Sequence, residues 1–175
     1  MNIKDLIRTI PNFPKEGIMF RDVTSLLKDA QGLKETTRQL VNDLKHLEFD
    51  VVAGIESRGF ILGAILAHEF EKGFVPIRKK GKLPGETISM DYELEYGVDT
   101  LEVHTDAFSK GEKVLLIDDL LATGGTAIGA IKLVEKLGAT VTTFSVIIDL
   151  PELKGKQKLE SLGHKVHTLV EFSGH

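Results

Sequence analysis

Cysteine and tryptophan are both absent from this 175-residue chain. Without cysteine there can be no disulfide framework, no thiolate metal ligand and no thiol nucleophile, and the absence fits a reducing compartment. A basic excess is missing too. The 22 Lys and Arg against 26 Asp and Glu leave a net charge of −4, the opposite of the electrostatic footprint of a nucleic-acid binder. No apolar run approaches the roughly 18 residues that a membrane span requires. Met1-Asn2-Ile3-Lys4-Asp5 has neither the basic start nor the apolar stretch of a signal peptide. These absences predict a cytoplasmic protein with neither nucleic acid nor membrane as partner. Internal repeats and low-complexity tracts are also lacking. What is present is an ordinary globular composition, 42% hydrophobic and 27% charged, in a chain long enough for one domain, 1–175, with a real core.

The residues around which the chain is organised are Val114 to Ile128, VLLIDDLLATGGTAI. Four apolar residues run into two carboxylates, Asp118 and Asp119. Leu120, Leu121, Ala122 and Thr123 follow, then a Gly124-Gly125-Thr126 corner and an amphipathic helical pattern. This pattern describes a buried strand that delivers its carboxyl end to a phosphate-sized pocket. Backbone amides turned inward at the glycines, the hydroxyls of Thr123 and Thr126 and the positive end of the helix dipole form an anion site. Ionised carboxylates are acceptors only, so Asp118 and Asp119 suit sugar hydroxyls or water on a hard cation. A pair that merely caps the strand end is the plainer alternative. The GxxxxGK[ST] loop of nucleoside triphosphatases is absent, and Thr126 stands where a G-x-G-x-x-G fingerprint would need glycine.

Taken in order, residues 2 to 9 read as a short amphipathic helix stopped by Pro11 and Pro14. Ile18 to Val23 is apolar with an embedded Arg21-Asp22 pair, either a lid over the core or a wall of a ligand site. Asp29 to Leu47 has helical spacing. Asp50 to Ile55 is a buried parallel strand, followed by Glu56-Ser57-Arg58-Gly59-Phe60, a helix over about 61–72 and a strand over 74–77. The charged, Gly- and Pro-containing stretch 78–97 reads as a long functional loop. Strands at 101–104, 113–117, 141–148 and 165–170 and helices over 126–137 and 152–162 complete the chain. The alternation predicts an α/β fold, doubly wound, with a mainly parallel sheet and helices on both faces.

VLLIDDLLATGGTA resembles the signature of the type I phosphoribosyltransferases, which bind 5-phosphoribosyl-1-pyrophosphate. Three further stretches strengthen the resemblance: Phe20-Arg21-Asp22, Glu56-Ser57-Arg58-Gly59-Phe60, and Arg78 to Gly85 with Leu94-Glu95-Tyr96-Gly97. They stand in the family's order over residues 11 to 155, and together they resemble its adenine-using branch.

The resemblance implies a small N-terminal hood (1–28) over the base site and a flexible catalytic loop (78–97). It assigns the 5-phosphate to Ala122, Thr123, Gly124, Gly125 and Thr126, and the ribose hydroxyls to Asp118 and Asp119. Ser57 and Arg58 would bind pyrophosphate, at a place where the family has an often cis, non-proline peptide; Arg78, Lys79 and Lys82 would reach it on loop closure. Met19 and Arg21 would offer backbone groups to the adenine edge beside Phe20, with Arg58 and Leu150 against the two ring faces. It further implies Mg²⁺ carried by the substrate rather than held by protein ligands, and a homodimer. The implied reaction gives AMP and pyrophosphate, a step of purine salvage. Related 6-oxopurine enzymes have Asp where this chain has Ala122, so Glu95, with Tyr96 beside it, becomes the candidate for the N9 proton. A xanthine- or guanine-type enzyme and a non-catalytic phosphoribosyl-pyrophosphate sensor stand as alternatives.

Overall fold

The computed structural model describes residues 1–94 and 96–174. After a 3-10 turn at Ile3–Leu6, strands β1 (Arg8–Pro11) and β2 (Met19–Asp22) form an antiparallel pair, followed by helices α1 (Thr24–Lys28) and α2 (Ala30–Leu44). The α/β core begins with β3 (Val51–Ile55), α3 (Arg58–Glu69) and β4 (Gly73–Lys79). Next come β5 (Thr87–Glu93), β6 (Val98–His104), β7 (Lys113–Ile117) and the short β8 (Leu120–Leu121). Helix α4 (Gly125–Lys136), β9 (Thr140–Asp149), α5 (Gly155–Ser161) and β10 (Val166–Glu171) complete it.

The eight-stranded sheet has the order β10-β9-β7-β3-β4-β6-β5, and β8 pairs with β9 beside that path. All pairings from β10 across to β4 are parallel, while β6 is antiparallel to both β4 and β5. Every residue of β3 is buried, as befits a central strand covered on both sides. Side-chain alternation divides the core. Val114 and Leu116 of β7 pack toward α4 with Ala53, Ile131 and Val134. Leu115 and Ile117 pack toward α2 and α3 with Leu40, Leu62 and Leu66.

The direction of winding reverses between the parallel neighbours β3 and β7. From β3 the chain crosses through α3 to β4 on one side; from β7 it crosses through α4 to β9 on the other. Loops leaving two such neighbouring strands diverge and open a crevice at their carboxyl ends, the usual ligand position in open α/β sheets.

Two segments differ from the sequence expectation. Residues 2–9 form only one 3-10 turn, Ile3–Leu6, rather than a continuous amphipathic helix. Only Ile3 and Ile7 of the apolar set are fully buried, and Arg8–Pro11 pairs with Met19–Asp22 instead, a non-local pairing that overrides the local helical spacing. Nor is 78–97 a loop throughout: most of it belongs to a β5–β6 hairpin in register from Thr87↔His104 to Glu93↔Val98. Ile88, Met90 and Tyr92 alternate toward the core on the α4 side, between charged residues that face outward. In addition, the polar helix expected from Glu152 starts only at Gly155, because Lys154 adopts a left-handed φ of 62° after a 3-10 turn at Pro151–Leu153. No helix among the described residues is long and apolar enough to cross a membrane.

The hairpin sits hard against α4. A side chain at Gly125 would collide with the Glu93 carbonyl, and a Cβ at Gly129 would stand 2.8 Å from Cβ of Tyr92. Gly129→Ala should therefore unseat the hairpin. Hydrogen exchange is expected to accelerate at the amides of 87–104 while β3 and β7 keep their protection; unchanged exchange in the hairpin would contradict this packing account.

Candidate active site at the switch point

Strand β3 ends in Glu56, Ser57 and Arg58, and the Glu56–Ser57 peptide is cis. The Glu56 side chain is only 6% exposed, and it gathers the basic segment that follows β4. Lys82 Nζ donates to it at 2.6 Å, the Lys79 amide at 2.7 Å and Arg78 Nε at 3.4 Å. Burial pushes the Glu56 carboxyl up, but hydrogen bonds from Lys82 and the Lys79 amide and the charges of Lys82 and Arg78 outweigh it, so Glu56 lies below its ordinary value. Arg78 also lies over the Phe60 ring.

Strand β7 brings Asp118 and Asp119 to the same crevice. Arg58 Nε donates to Asp119 Oδ2 at 2.6 Å, joining the two strand ends. The Asp119 amide donates to Asp118 Oδ1 at 2.8 Å, which leaves Asp118 recessed beside a second carboxylate. Burial, then the charge of Asp119, push Asp118 well above the usual carboxylate range. The backbone here is fixed by β8, whose Leu120 and Leu121 pair with Ile148 and Asp149, and by the Ile147 and Ile148 amides, which donate to the Asp119 carbonyl.

The turn into α4 is made by Gly124 at φ +91°, a left-handed conformation open to glycine at little cost. No side chain caps this helix, so its first-turn amides point into the crevice without an internal partner. Together with the Thr123 and Thr126 hydroxyls they form an anion cradle.

A cavity of ≈ 320 Å³ connects these parts. It is lined by Phe20 and Arg21 of the β1–β2 hairpin, by Glu56, Arg58 and Lys79, by 118–124 with Thr126, and by Tyr92 and Leu94 of β5 and its turn. Of the residues singled out in the sequence, Met19, Ser57, Arg78 and Gly125 adjoin lining residues in the chain but do not line the cavity, and Lys82 meets its lining only through the Glu56 carboxylate. Leu150 is packed in the core beside Ile147 and Ile148. Tyr96 is exposed at the hairpin tip, with Lys15 Nζ 4.3 Å from its ring centroid, so the tip reaches the N-terminal segment. Glu95 lies outside the described residues.

Two participants escaped the sequence reading. Glu56 opens the Glu56-Ser57-Arg58-Gly59-Phe60 stretch but has no role of its own there, because nothing local reveals that a segment 22 to 26 positions later folds onto it. Tyr92 was legible only in the period-two series Ile88, Met90, Tyr92. Its hydroxyl interacts with Asp99 and with Thr126; burial, then the nearby Asp99, push its pKa up to about 12. A third cluster resembles a hydrolase triad: His167 Nδ1 lies 2.8 Å from Ser145 Oγ and Nε2 lies 2.8 Å from Asp43 Oδ2. Ser145 is fully buried, so this chain of contacts ties α2 to β9 and β10 and offers no accessible nucleophile.

Residues 22–169 match the family described as Phosphoribosyl transferase domain, and the chain belongs to that family. It is similar to the adenine phosphoribosyltransferase of Rhizobium leguminosarum bv. trifolii, 56% identical over 169 residues that cover 97% of this chain and 93% of the relative. Its structure is similar to the crystal structure of adenine phosphoribosyltransferase from Thermoanaerobacter pseudethanolicus, with a TM-score of 0.93, 48% identity and coverage of 97% and 98% of the two chains. The Saccharomyces cerevisiae adenine phosphoribosyltransferase, solved with an imino-altritol bisphosphate and adenine, gives a TM-score of 0.88 at 38% identity over 96% of both chains.

Glu56 gives a pH test. A carboxylate whose pKa is lowered on folding stabilises the protein above its ordinary range and loses that contribution as pH falls through the lowered value. Glu56→Gln should cost roughly 1–3 kcal/mol at neutral pH, and the gap to wild type in denaturant titrations should close as pH drops below about 4.5, the ordinary glutamate value. A gap that is independent of pH would contradict the ionised role.

Proposed function

We propose that this protein is an adenine phosphoribosyltransferase, moving the 5-phosphoribosyl group of 5-phosphoribosyl-1-pyrophosphate onto adenine to give AMP and pyrophosphate, a purine-salvage reaction. The observation that carries the proposal is the meeting, at one switch point, of an uncapped helix start beside paired carboxylates and a basic segment held at the opposite strand end. The choice of adenine is supported by the relatives, which bear that name at up to 56% identity across nearly the whole chain.

In this reading Ala122 to Thr126 hold the 5-phosphate through amides and hydroxyls, and Asp118 and Asp119 accept from the ribose hydroxyls. Adenine N9 forms a bond to ribose C1 as the bond from C1 to the pyrophosphate oxygen breaks, with inversion. Positive charge grows on the ribose and negative charge on the leaving group; Arg58, Lys79, Arg78 and Lys82 stabilise the latter. Substrate oxygens replace Glu56 and Asp119 as partners of these cations. Mg²⁺ carried by the phosphoribosyl pyrophosphate would supply further charge neutralisation to the leaving pyrophosphate. The Asp118–Asp119 pair fits that role as an acceptor for water on such an ion, while among the described residues no group of three or more His, Asp or Glu is gathered to hold one alone.

The base is placed against the hood, by Met19, Phe20 and Arg21. Ala122 has no carboxylate to take the N9 proton, and we assign that proton to Glu95, which precedes Tyr96 in the sequence. The hairpin and the hood close the crevice from two sides and exclude water from the activated ribose. A homodimer belongs to the same reading: the exposed Ile61 and an open groove lined by Leu33, Val41 and Ile65 between α2 and α3 supply apolar surface for pairing.

The direct test is a panel of nucleobases with phosphoribosyl pyrophosphate and Mg²⁺, reading out pyrophosphate and nucleotide. Adenine should be converted in preference to guanine, hypoxanthine and xanthine; preference for another base, or no turnover of any, would overturn the proposal. Within it, Glu95→Gln should lower kcat by about 100-fold with both substrates still bound, and unchanged turnover would remove Glu95 from the mechanism.

A further inference from the structure

The hood that lines the base side of the cavity is a two-stranded pair, β1 and β2. Such a pair is marginally stable alone, so the position of Phe20 and Arg21 depends on what anchors it. Arg21 is anchored by a segment about 150 positions away. Its Nη2 donates to the carbonyls of Ser173 at 2.9 Å and Gly174 at 2.7 Å, and its Nη1 donates to Thr9 Oγ1 at 2.6 Å. The guanidinium also lies 4.7 Å from the ring centroid of Phe172, which Lys4 Nζ approaches at 4.8 Å. Two cations of the hood therefore approach the one aromatic ring.

The tail is itself tied to the body of the fold. The Phe172 amide donates to the Asp149 carbonyl at 3.1 Å at the end of β9, and the Gly174 amide donates to Glu152 Oε1 at 3.1 Å. Arg21 Nε is buried with no hydrogen-bond partner among the described residues, so the Phe172 ring, the two tail carbonyls and Thr9 Oγ1 are what fix the guanidinium. A planar fork held at two oxygens and stacked on a ring is a rigid attachment that a lysine could not reproduce.

We propose that residues 172–174 act as a strap that positions the base-binding edge, with Phe172 as a positioning residue for adenine acting through Arg21. The strap is joined to the sheet at β9 and to the hood at Arg21, and among the described residues it makes no hydrogen bond to the phosphate cradle or to the carboxylate pair. Loosening it should displace the hood while leaving the phosphoribosyl side in place. The proposal rests on the reading that the hood holds the base, and the two can be separated by experiment.

The test uses steady-state kinetics of the full chain with each substrate varied in turn. Phe172→Ala should raise the adenine KM by about tenfold, the effect of losing a cation–π contact and loosening the carbonyl fork, with the phosphoribosyl pyrophosphate KM unchanged. Phe172→Tyr, which keeps the ring, should restore the wild-type adenine KM. Arg21→Lys, which keeps the charge but loses the fork, should reproduce the Phe172→Ala pattern and serves where that variant folds poorly. Phe20→Ala tests the underlying reading, since a cavity-lining hood residue should raise the adenine KM by itself. If Phe20→Ala raises it and both Phe172→Ala and Arg21→Lys leave it unchanged, the strap is overturned. Equal rises in both KM values would also overturn it, as general destabilisation. If Phe20→Ala has no effect on the adenine KM, the hood does not hold the base.

Discussion

The ion pair between Arg58 and Asp119 is the contact on which the site's geometry depends. It joins the ends of β3 and β7, which are adjacent in the sheet but belong to oppositely wound halves of the fold. Asp119 is buried and Arg58 is half exposed, so the pair is partly desolvated. Removing one member of such a pair leaves the other charge without compensation, the costly direction of change. Glu56 plays the corresponding role at the next position, holding Lys82 and Arg78. The crevice therefore holds its cations and anions already paired, oriented and close to a cradle of free amides. A ligand that carries both phosphates and hydroxyls can exchange with both kinds of partner, whereas a simple anion could replace only one. This pairing explains how so many like charges from the basic segment stay together beside the site.

Around this centre the enclosing elements are peripheral ones. The β5–β6 hairpin packs on the glycine face of α4, and its tip reaches the hood through Tyr96 and Lys15. The hood is held in turn by the tail at Phe172. In the proposed reading the sugar-phosphate side is built on the central strands, and the base side on peripheral segments tied to one another. That division suits an enzyme in which one substrate portion is anchored by rigid amides and the other is admitted and enclosed.

Much of the centre was legible in the amino-acid sequence because its signals are local. The apolar run Val114–Ile117, the adjacent carboxylates and the glycine corner define a strand, an acceptor pair and a helix start within about a dozen positions, and the structure has all three. The periphery was harder to read for physical reasons. Residues 2–9 carry a helical spacing, yet strand pairing with Met19–Asp22 decides their conformation. In 78–97 the core-facing Ile88, Met90 and Tyr92 are separated by Ser, Asp and Glu, so an outward-facing strand edge looked like a charged loop. Glu56 and Phe172 depend on contacts between distant segments, which neither spacing nor composition encodes.

The measurement that bears most directly on the central claim is a crystal structure with phosphoribosyl pyrophosphate and Mg²⁺ bound. The 5-phosphate should lie on the amides of Ala122 to Thr126, with the ribose hydroxyls on Asp118 and Asp119 and Arg58 withdrawn from Asp119 toward the pyrophosphate. A 5-phosphate bound away from the start of α4, or an Arg58–Asp119 pair that persists with the ribose seated elsewhere, would contradict the account.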